Sequence, residues 1–181
     1  LSMDFNNSRE IEDRLQAPVD IRVTAWSKMV VGIIASWLGG LLVLPISLMF
    51  MGSYLNFSMS SLDILLLILI LALSSVASAS LGLLVGTIVK PMQIAAMFPG
   101  FLMPIIFTGA VFFSWQSLTP LPIIKGLVLF NPLVYINEAL RYTMMETTTA
   151  MPLWFSLTGI ILFTLAMGWL GMRRFTKMAI R

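Results

Sequence analysis

Four long stretches of this sequence contain no charged residue, and they restrict the possible folds more than any other feature. They cover residues 29–62, 64–89, 91–124 and 147–172, and their lengths are 34, 26, 34 and 26 residues. A helix needs about 20 predominantly apolar residues to cross a bilayer. Soluble domains carry roughly 25% charged residues, whereas this chain carries 10%. The sequence therefore predicts an all-α, polytopic membrane protein.

The charge-free stretches predict four transmembrane helices, at about 29–53, 62–89, 92–113 and 153–172. These spans belong to a transmembrane domain, 29–181, which also includes the segment 114–152 before the last span and the basic tail 173–181. The charged segment 1–28 precedes this domain.

The basic residues predict how these spans are oriented. Cytoplasmic segments of membrane proteins are enriched in Lys and Arg. Nine of the 11 basic residues lie before the first span, between the second and third spans, or after the last one. Only Lys125 and Arg141 lie in the segment 114–152. Both termini of this chain are therefore predicted to be cytoplasmic.

The charged segment before the first span contains the pattern of a short helix. Asn7 can cap a helix, and Glu10 can return the bond three residues later, as in a capping box. Two oppositely charged pairs follow at i,i+4 spacing, Glu10 with Arg14 and Arg9 with Asp13. Pro18 then ends the helix, because proline disfavours helical geometry in the residue before it. From the pattern alone, a solvated linker is an equally good interpretation.

Small residues recur every four positions in the second predicted span. They are Ser74, Ser78, Gly82 and Gly86. This spacing places them on one helix face, where small side chains let helices approach closely in lipid. We interpret the stripe as a helix-packing face, and we favour packing within this chain over a dimer contact or a substrate path. Asp63, in the first turn of the same span, suits the positive end of the helix dipole, and Ser60 or Ser61 can cap the helix; we prefer this structural role to an ion ligand.

The predicted third span differs from the others because it contains prolines. Pro91, Pro99 and Pro104 fall within or beside it. Proline removes a helical hydrogen bond and bends the axis. Such a bend can line a substrate cavity, but the phenylalanine residues around it are equally suited to contact lipid.

The segment before the last span predicts a helical hairpin. Residues 121–130 are apolar but too few to cross a bilayer, and Asn131 with Pro132 interrupts them. A second helical stretch follows, in which Glu138 and Arg141 are spaced i,i+3 and can pair. We interpret the two stretches as a re-entrant hairpin. The alternative is an amphipathic hairpin that rests on the lipid headgroups.

Several classes of function lack their residues in this sequence. The chain has no Cys and no His, which leaves no disulfide, thiolate or imidazole site, and no metal site is predicted. Ion-coupled carriers need ionisable groups within the membrane, and the predicted spans carry none away from their edges. There is no Gly-x-x-x-x-Gly-Lys-Ser/Thr phosphate loop and no nucleophile–base cluster. We therefore expect neither an enzyme nor a nucleic-acid-binding protein.

Two regions resemble the permease subunits of ABC-2 type exporters, the group that includes drug exporters of the daunorubicin type and polysaccharide exporters. The stronger match is Leu129-Phe130-Asn131-Pro132-Leu133-Val134-Tyr135-Ile136-Asn137-Glu138-Ala139-Leu140-Arg141. It is similar to the family's Asn-Pro-Leu-x-Tyr…(Asp/Glu)-Ala-x-Arg motif before the last span. The second match is Arg9-Glu10-Ile11-Glu12-Asp13-Arg14-Leu15-Gln16-Ala17-Pro18. It is similar to the family's cytoplasmic loop that touches the ATPase.

The resemblance implies roles for particular residues. Family members have six spans, so the four predicted here would be the last four, and the chain would be an N-terminally truncated fragment. The short charged helix would be the coupling helix that docks into the ATPase. Its coupling residues would be Arg9, Glu10, Ile11, Glu12, Asp13, Arg14, Leu15 and Pro18. The re-entrant motif would comprise Asn131, Pro132, Tyr135, Glu138 and Arg141.

The resemblance also implies partners and an activity. Two permease copies, expected as a homodimer, and a separate ATPase that binds ATP and Mg would form an exporter in a bacterial or archaeal cell membrane. The chain itself would hold no cofactor. The substrate would be a drug, a lipid or a polysaccharide, with multidrug efflux favoured by analogy. The alternative function is a non-transporting membrane anchor or assembly protein.

Overall fold

The long apolar stretches form long helices. The structure, a computed structural model, describes residues 21–51, 60–89, 91–145 and 150–179. Within these ranges all regular elements are helical, as predicted, and three of them are long enough and apolar enough to cross a membrane. They are α1 (Ile21–Met51), α2 (Ser61–Ile88) and α7 (Leu153–Ala179). The predicted coupling helix and its eight residues between Arg9 and Pro18 lie outside the described residues.

Shorter helices connect α2 to α7. The α-helices are α3 (Ile94–Met97), α4 (Met103–Thr108), α5 (Pro122–Leu127) and α6 (Pro132–Met144). The 3₁₀ turns are Pro91–Gln93, Trp115–Leu118 and Val128–Phe130, and one π-helical stretch covers Phe98–Leu102.

The predicted third span, 92–113, is irregular and ends early. Its helical part runs from 91 to 108, where 3₁₀, α, π and α turns follow one another. Pro99 lies inside the π-helical stretch and Pro104 in the first turn of α4. Proline cannot donate a backbone hydrogen bond, and a π turn is one way in which a helix accommodates this. The described residues thus contain three membrane-length helices, or four if the bent helix pair counts as one span.

The bent helix pair lies where the sequence predicts a helical hairpin. Its two arms, Pro122–Phe130 and Pro132–Met144, meet at 100°. Asn131, at the bend, has an extended backbone, and its side chain accepts a hydrogen bond from Leu133 N–H. Pro132 occupies the first helical turn, where its missing N–H costs nothing. Because Asn caps well and Pro starts a helix well, one helix ends and a new one begins here.

The first two long helices run antiparallel. A Cβ atom built on Gly32 would lie 3.4 Å from Ala79 Cβ, and one on Gly40 would lie 3.3 Å from Leu71 Cδ2. As the residue number rises along α1, the number of the contacting residue in α2 falls. The start of α1 and the end of α2 lie at the same end of the helices.

The last helix runs parallel to α2. A Cβ atom on Gly168 would lie 3.4 Å from Ser80 Oγ, and one on Gly171 would lie 3.1 Å from Leu84 N. The end of α7 therefore joins the start of α1 and the end of α2. We call this the basic end, because Lys28, Arg173, Arg174 and Lys177 all lie there. The bent helix pair packs near the opposite end.

The small-residue stripe of α2 is only partly covered by the described chain. Ser78 and Gly82 are exposed, and a Cβ atom on Gly82 would meet nothing within 4 Å. Other small or polar residues of this region are buried. They are Ser75, Ala77, Ala79, Ser80 and Thr87. A packing role for Ser74, Ser78, Gly82 and Gly86 therefore stays a prediction.

The start of α2 is capped as the sequence predicts. Ser60 N–H donates to Asp63 Oδ2 over 2.9 Å. This is the return bond of a capping box, and a carboxylate in the first turn also suits the helix dipole. Asp63 therefore has a structural role.

A candidate functional site at the bent helix pair

Glu138 is a fully buried carboxylate in the middle of α6, with no exposed surface. Its Oε1 accepts hydrogen bonds from Trp115 N–H, over 2.9 Å, and from the Arg141 guanidinium. Its Oε2 accepts a hydrogen bond from Met151 N–H over 2.8 Å. One side chain thus joins three segments: the 3₁₀ turn after α4, the helix α6 itself, and the start of the last span.

Arg141 provides the charge that balances Glu138. The two form the i,i+3 ion pair expected from the sequence. A second guanidinium nitrogen, Nη2, donates to the carbonyl of Ala110 over 3.1 Å. Ala110 is fully buried and has a φ of 59°, in the left-handed region that residues other than glycine seldom adopt. The planar fork of Arg141 therefore fixes a strained turn against α6.

Asn131 connects the bend to the end of α4. Its Nδ2 donates to the carbonyl of Ile105 over 2.6 Å and to Thr108 Oγ1 over 2.9 Å. Its Oδ1 accepts a hydrogen bond from Leu133 N–H over 3.0 Å. The buried amide therefore caps α6 and anchors the bend in the same way that Glu138 anchors the helix centre.

Tyr135 anchors α6 to the last span. Its hydroxyl donates to the carbonyl of Leu129 over 2.9 Å. Its ring centroid lies 6.0 Å from that of Phe155 and 5.7 Å from that of Phe163. The ring packs directly on Gly159, so closely that a Cβ atom there would overlap it. Tyrosine is suited to this position because its ring packs in an apolar core while its hydroxyl still finds an acceptor.

The 3₁₀ turn between the third predicted span and the hairpin supports the same site. Trp115 Nε1 donates to the carbonyl of Lys125 over 3.2 Å, and the Lys125 ammonium lies 4.1 Å from the Trp115 ring centroid. Gln116 Nε2 donates to the carbonyl of Ala150 over 3.2 Å. Sequence reasoning missed these residues, because their partners lie 10 to 34 residues away in the chain and no local spacing links them.

The five residues predicted for the re-entrant motif therefore lie together. All five belong to the bend or to α6, and four of them bond to or pack on other segments. They are Asn131, Pro132, Tyr135, Glu138 and Arg141. The cluster contains no nucleophile, and the described residues contain no group of acidic side chains that could hold a metal ion. Its chemistry suits it to fix the bent helix pair on the last span.

Comparison with known proteins agrees with the motif. A family model described as ABC-2 type transporter matches residues 6–145. The chain is 31% identical over 135 residues to the inner membrane transport permease YadH of Escherichia coli K12, and equally to its counterpart in Shigella flexneri. The matched part is 74% of this chain and 50% of YadH. The chain thus spans about half the length of these relatives, and no solved structure gives a significant match.

The family match covers both the charged segment before α1 and the whole bent helix pair. It includes the Asn131-to-Arg141 motif whose side chains form the buried cluster. Its length, 140 of the 181 residues, is well above half of the chain. The chain therefore belongs to the ABC-2 type transporter family, whose members are membrane permease components of ABC transporters.

Proposed function

We propose that this chain is part of the permease subunit of an ATP-driven exporter. The observation that carries the proposal is the family match over residues 6–145. The match includes both the segment with the coupling-helix pattern and the bent helix pair. Since the sequence has no phosphate loop, the energy would come from a separate ATPase that binds ATP and Mg. A second permease copy would complete the transport pathway.

The proposed orientation places the basic end of the helices in the cytoplasm. Lys28, Arg173, Arg174 and Lys177 lie at this end, and positive charge is characteristic of cytoplasmic segments. The coupling segment then meets the ATPase directly before α1. The bent helix pair lies on the outer side, where its buried ion pair is shielded from lipid.

The arrangement of the long helices supports a mechanical role for the coupling segment. A force applied before α1 passes to α2 through their antiparallel contact, and from α2 to α7 through small residues such as Gly168 and Gly171. The outer end is held by the Glu138 cluster. We propose that ATP binding shifts the long helices as packed units, a switching mode that proteins commonly use. The substrate would be a drug, a lipid or a polysaccharide.

Charge reversal in the coupling segment tests this function. In the permease that contains this chain, we expect Glu10→Lys with Asp13→Lys to lower recovery of the ATPase roughly tenfold or more, because juxtaposed like charges disfavour docking. The measurement is co-purification from detergent-solubilised membranes, with mass spectrometry of the partner. A matched control, Asp4→Lys with Asp20→Lys, makes the same change in net charge outside the helical pattern.

Either of two results would contradict the proposal. Equal ATPase recovery with both double variants would remove the docking role from the helical pattern. Failure of the intact permease to recover an ATPase with a phosphate loop would favour a non-transporting anchor. Unchanged insertion of all variants, measured by membrane fractionation, makes these results interpretable.

A further inference from the structure

A large apolar groove lies at the basic end, away from the bent helix pair. Its volume is about 820 Å³, and all three long helices line it. Lining residues include Trp26 and Met29 of α1, Ser80 of α2, and Trp169, Arg173 and Lys177 of α7. Most of the other lining residues are apolar. The groove is thus an open, largely hydrophobic surface in a part of the helices that lies in or near a membrane.

The length of the groove matches one leaflet of a bilayer. Along α7 it extends from Thr164 to Lys177. At 1.5 Å per residue these 13 steps correspond to about 20 Å. One leaflet contributes about 15 Å of hydrocarbon and a few more of headgroup. The lining positions of α7 recur every three or four residues, so they form one continuous face.

The cations Arg173 and Lys177 lie at the end of this groove that is nearest the C-terminus of α7. The Arg173 guanidinium carbon lies 4.0 Å from the Trp169 ring centroid, and Lys177 follows one helical turn later. None of the described residues that line the groove is acidic. Among the described residues the carboxylates belong to Asp63 and Glu138, and both lie towards the other end of the helices. The groove therefore combines an apolar interior with a positively charged mouth.

We propose that this groove binds an anionic phospholipid of the leaflet at the basic end. One acyl chain would lie along α7 between Thr164 and Trp169, and the phosphate would contact Arg173 and Lys177. Tryptophan and basic side chains both prefer the boundary between hydrocarbon and headgroups. Charge complementarity selects an anionic lipid over a zwitterionic one, since juxtamembrane cations attract anionic headgroups. With the proposed orientation, this leaflet is the cytoplasmic one.

Quenching of tryptophan fluorescence by brominated lipids tests the proposal without any need for transport activity. Trp26 and Trp169 line the groove, and Trp37→Phe with Trp154→Phe removes two other exposed tryptophans. The permease that contains this chain is reconstituted in this background in phosphatidylcholine vesicles. A fixed fraction of the lipid is dibrominated phosphatidylglycerol or, separately, dibrominated phosphatidylcholine. We expect the association constant between lipid and groove to be about fivefold higher for the anionic lipid than for phosphatidylcholine.

Three variants decide between the groove and general surface charge. Arg173→Gln with Lys177→Gln should lower the ratio of the two association constants to about one. The control Arg174→Gln removes a neighbouring cation that does not line the groove, and it should largely preserve the ratio. Thr164→Phe fills the groove, keeps both cations, and should also reduce the preference. Loss of preference in Arg174→Gln equal to that in the double variant would overturn the proposal.

Two further results would also overturn it. Equal quenching by both lipids in the parent chain would show that the cations select no lipid. Weak quenching by both lipids would show that protein, such as residues 1–20 or another permease segment, fills the groove. Neither result depends on whether the permease binds an ATPase, so failure here is distinguishable from failure of the proposed function.

Discussion

Replacing Glu138 with glutamine is expected to lower the free energy of unfolding by about 3–5 kcal/mol, the usual cost of removing one partner from a buried ion pair. All three groups that contact this carboxylate are donors: Trp115 N–H, Met151 N–H and the Arg141 guanidinium. Glutamine replaces one acceptor oxygen by an NH₂ group, so at least one of these three donors would face another donor instead of an acceptor. It also leaves the positive charge of Arg141 without its counterion.

Thermal unfolding of the detergent-solubilised chain measures this effect. The matched control is Asp63→Asn, which removes the charge of a partly exposed carboxylate that caps α2. A cap change costs about 1 kcal/mol. Adding Arg141→Gln to Glu138→Gln should cost less than the sum of the single changes, because the residues act as one unit. Equal losses for Glu138→Gln and Asp63→Asn would show that the buried cluster does not hold the hairpin.

Much of the fold follows from features that operate over short distances along the chain. The absence of charge over 64–89 and 147–172 is sufficient to predict α2 and α7, because only a helix satisfies its own backbone in lipid. Asn131 followed by Pro132 predicts the bend, since the first residue caps a helix and the second starts one. The spacing of Glu138 and Arg141 predicts their ion pair.

The remaining features depend on contacts between distant segments. Nothing in the sequence indicates that Glu138 accepts the N–H groups of Trp115 and Met151, which lie 23 and 13 residues away. The sequence also does not predict which residues of α2 are buried, because a helix that is apolar on all sides has no hydrophobic period that marks a packing side. The stripe from Ser74 to Gly86 is regular, yet a Cβ atom on its member Gly82 would meet nothing within 4 Å in the described chain.

The third predicted span shows a different limit of prediction from the sequence. Prolines predict an interruption, and the interruption is present, but the type of turn that absorbs it depends on local geometry. The helical part stops at Thr108, five residues before the predicted end. The carbonyls of Ile105 and Gly109 then find side-chain donors in Asn131 and Asn137. The end of this element is therefore set by α6, which comes later in the sequence.

Gly159→Ala is expected to lower the free energy of unfolding by about 2 kcal/mol or more, even though alanine is the better helix former. A Cβ atom at this position would overlap the ring of Tyr135. The ring has little room to move, because Phe155 and Phe163 pack against it. Displacing it would also break the hydrogen bond from its hydroxyl to Leu129 O. Overpacking of a buried site therefore outweighs the gain in helix propensity.

Gly82→Ala is the matched control, because a Cβ atom there meets nothing within 4 Å. It should leave the chain unchanged or stabilise it by up to about 1 kcal/mol. Adding Tyr135→Leu to Gly159→Ala removes the overlapping ring, so the double variant should be more stable than the sum of the single changes predicts. Thermal unfolding of the parent chain, Gly82→Ala, Gly159→Ala, Tyr135→Leu and the double variant gives these comparisons. If Gly159→Ala behaved like Gly82→Ala, Tyr135 would not fix the bent helix pair on the last span, and the contact at Gly159 would have no structural role.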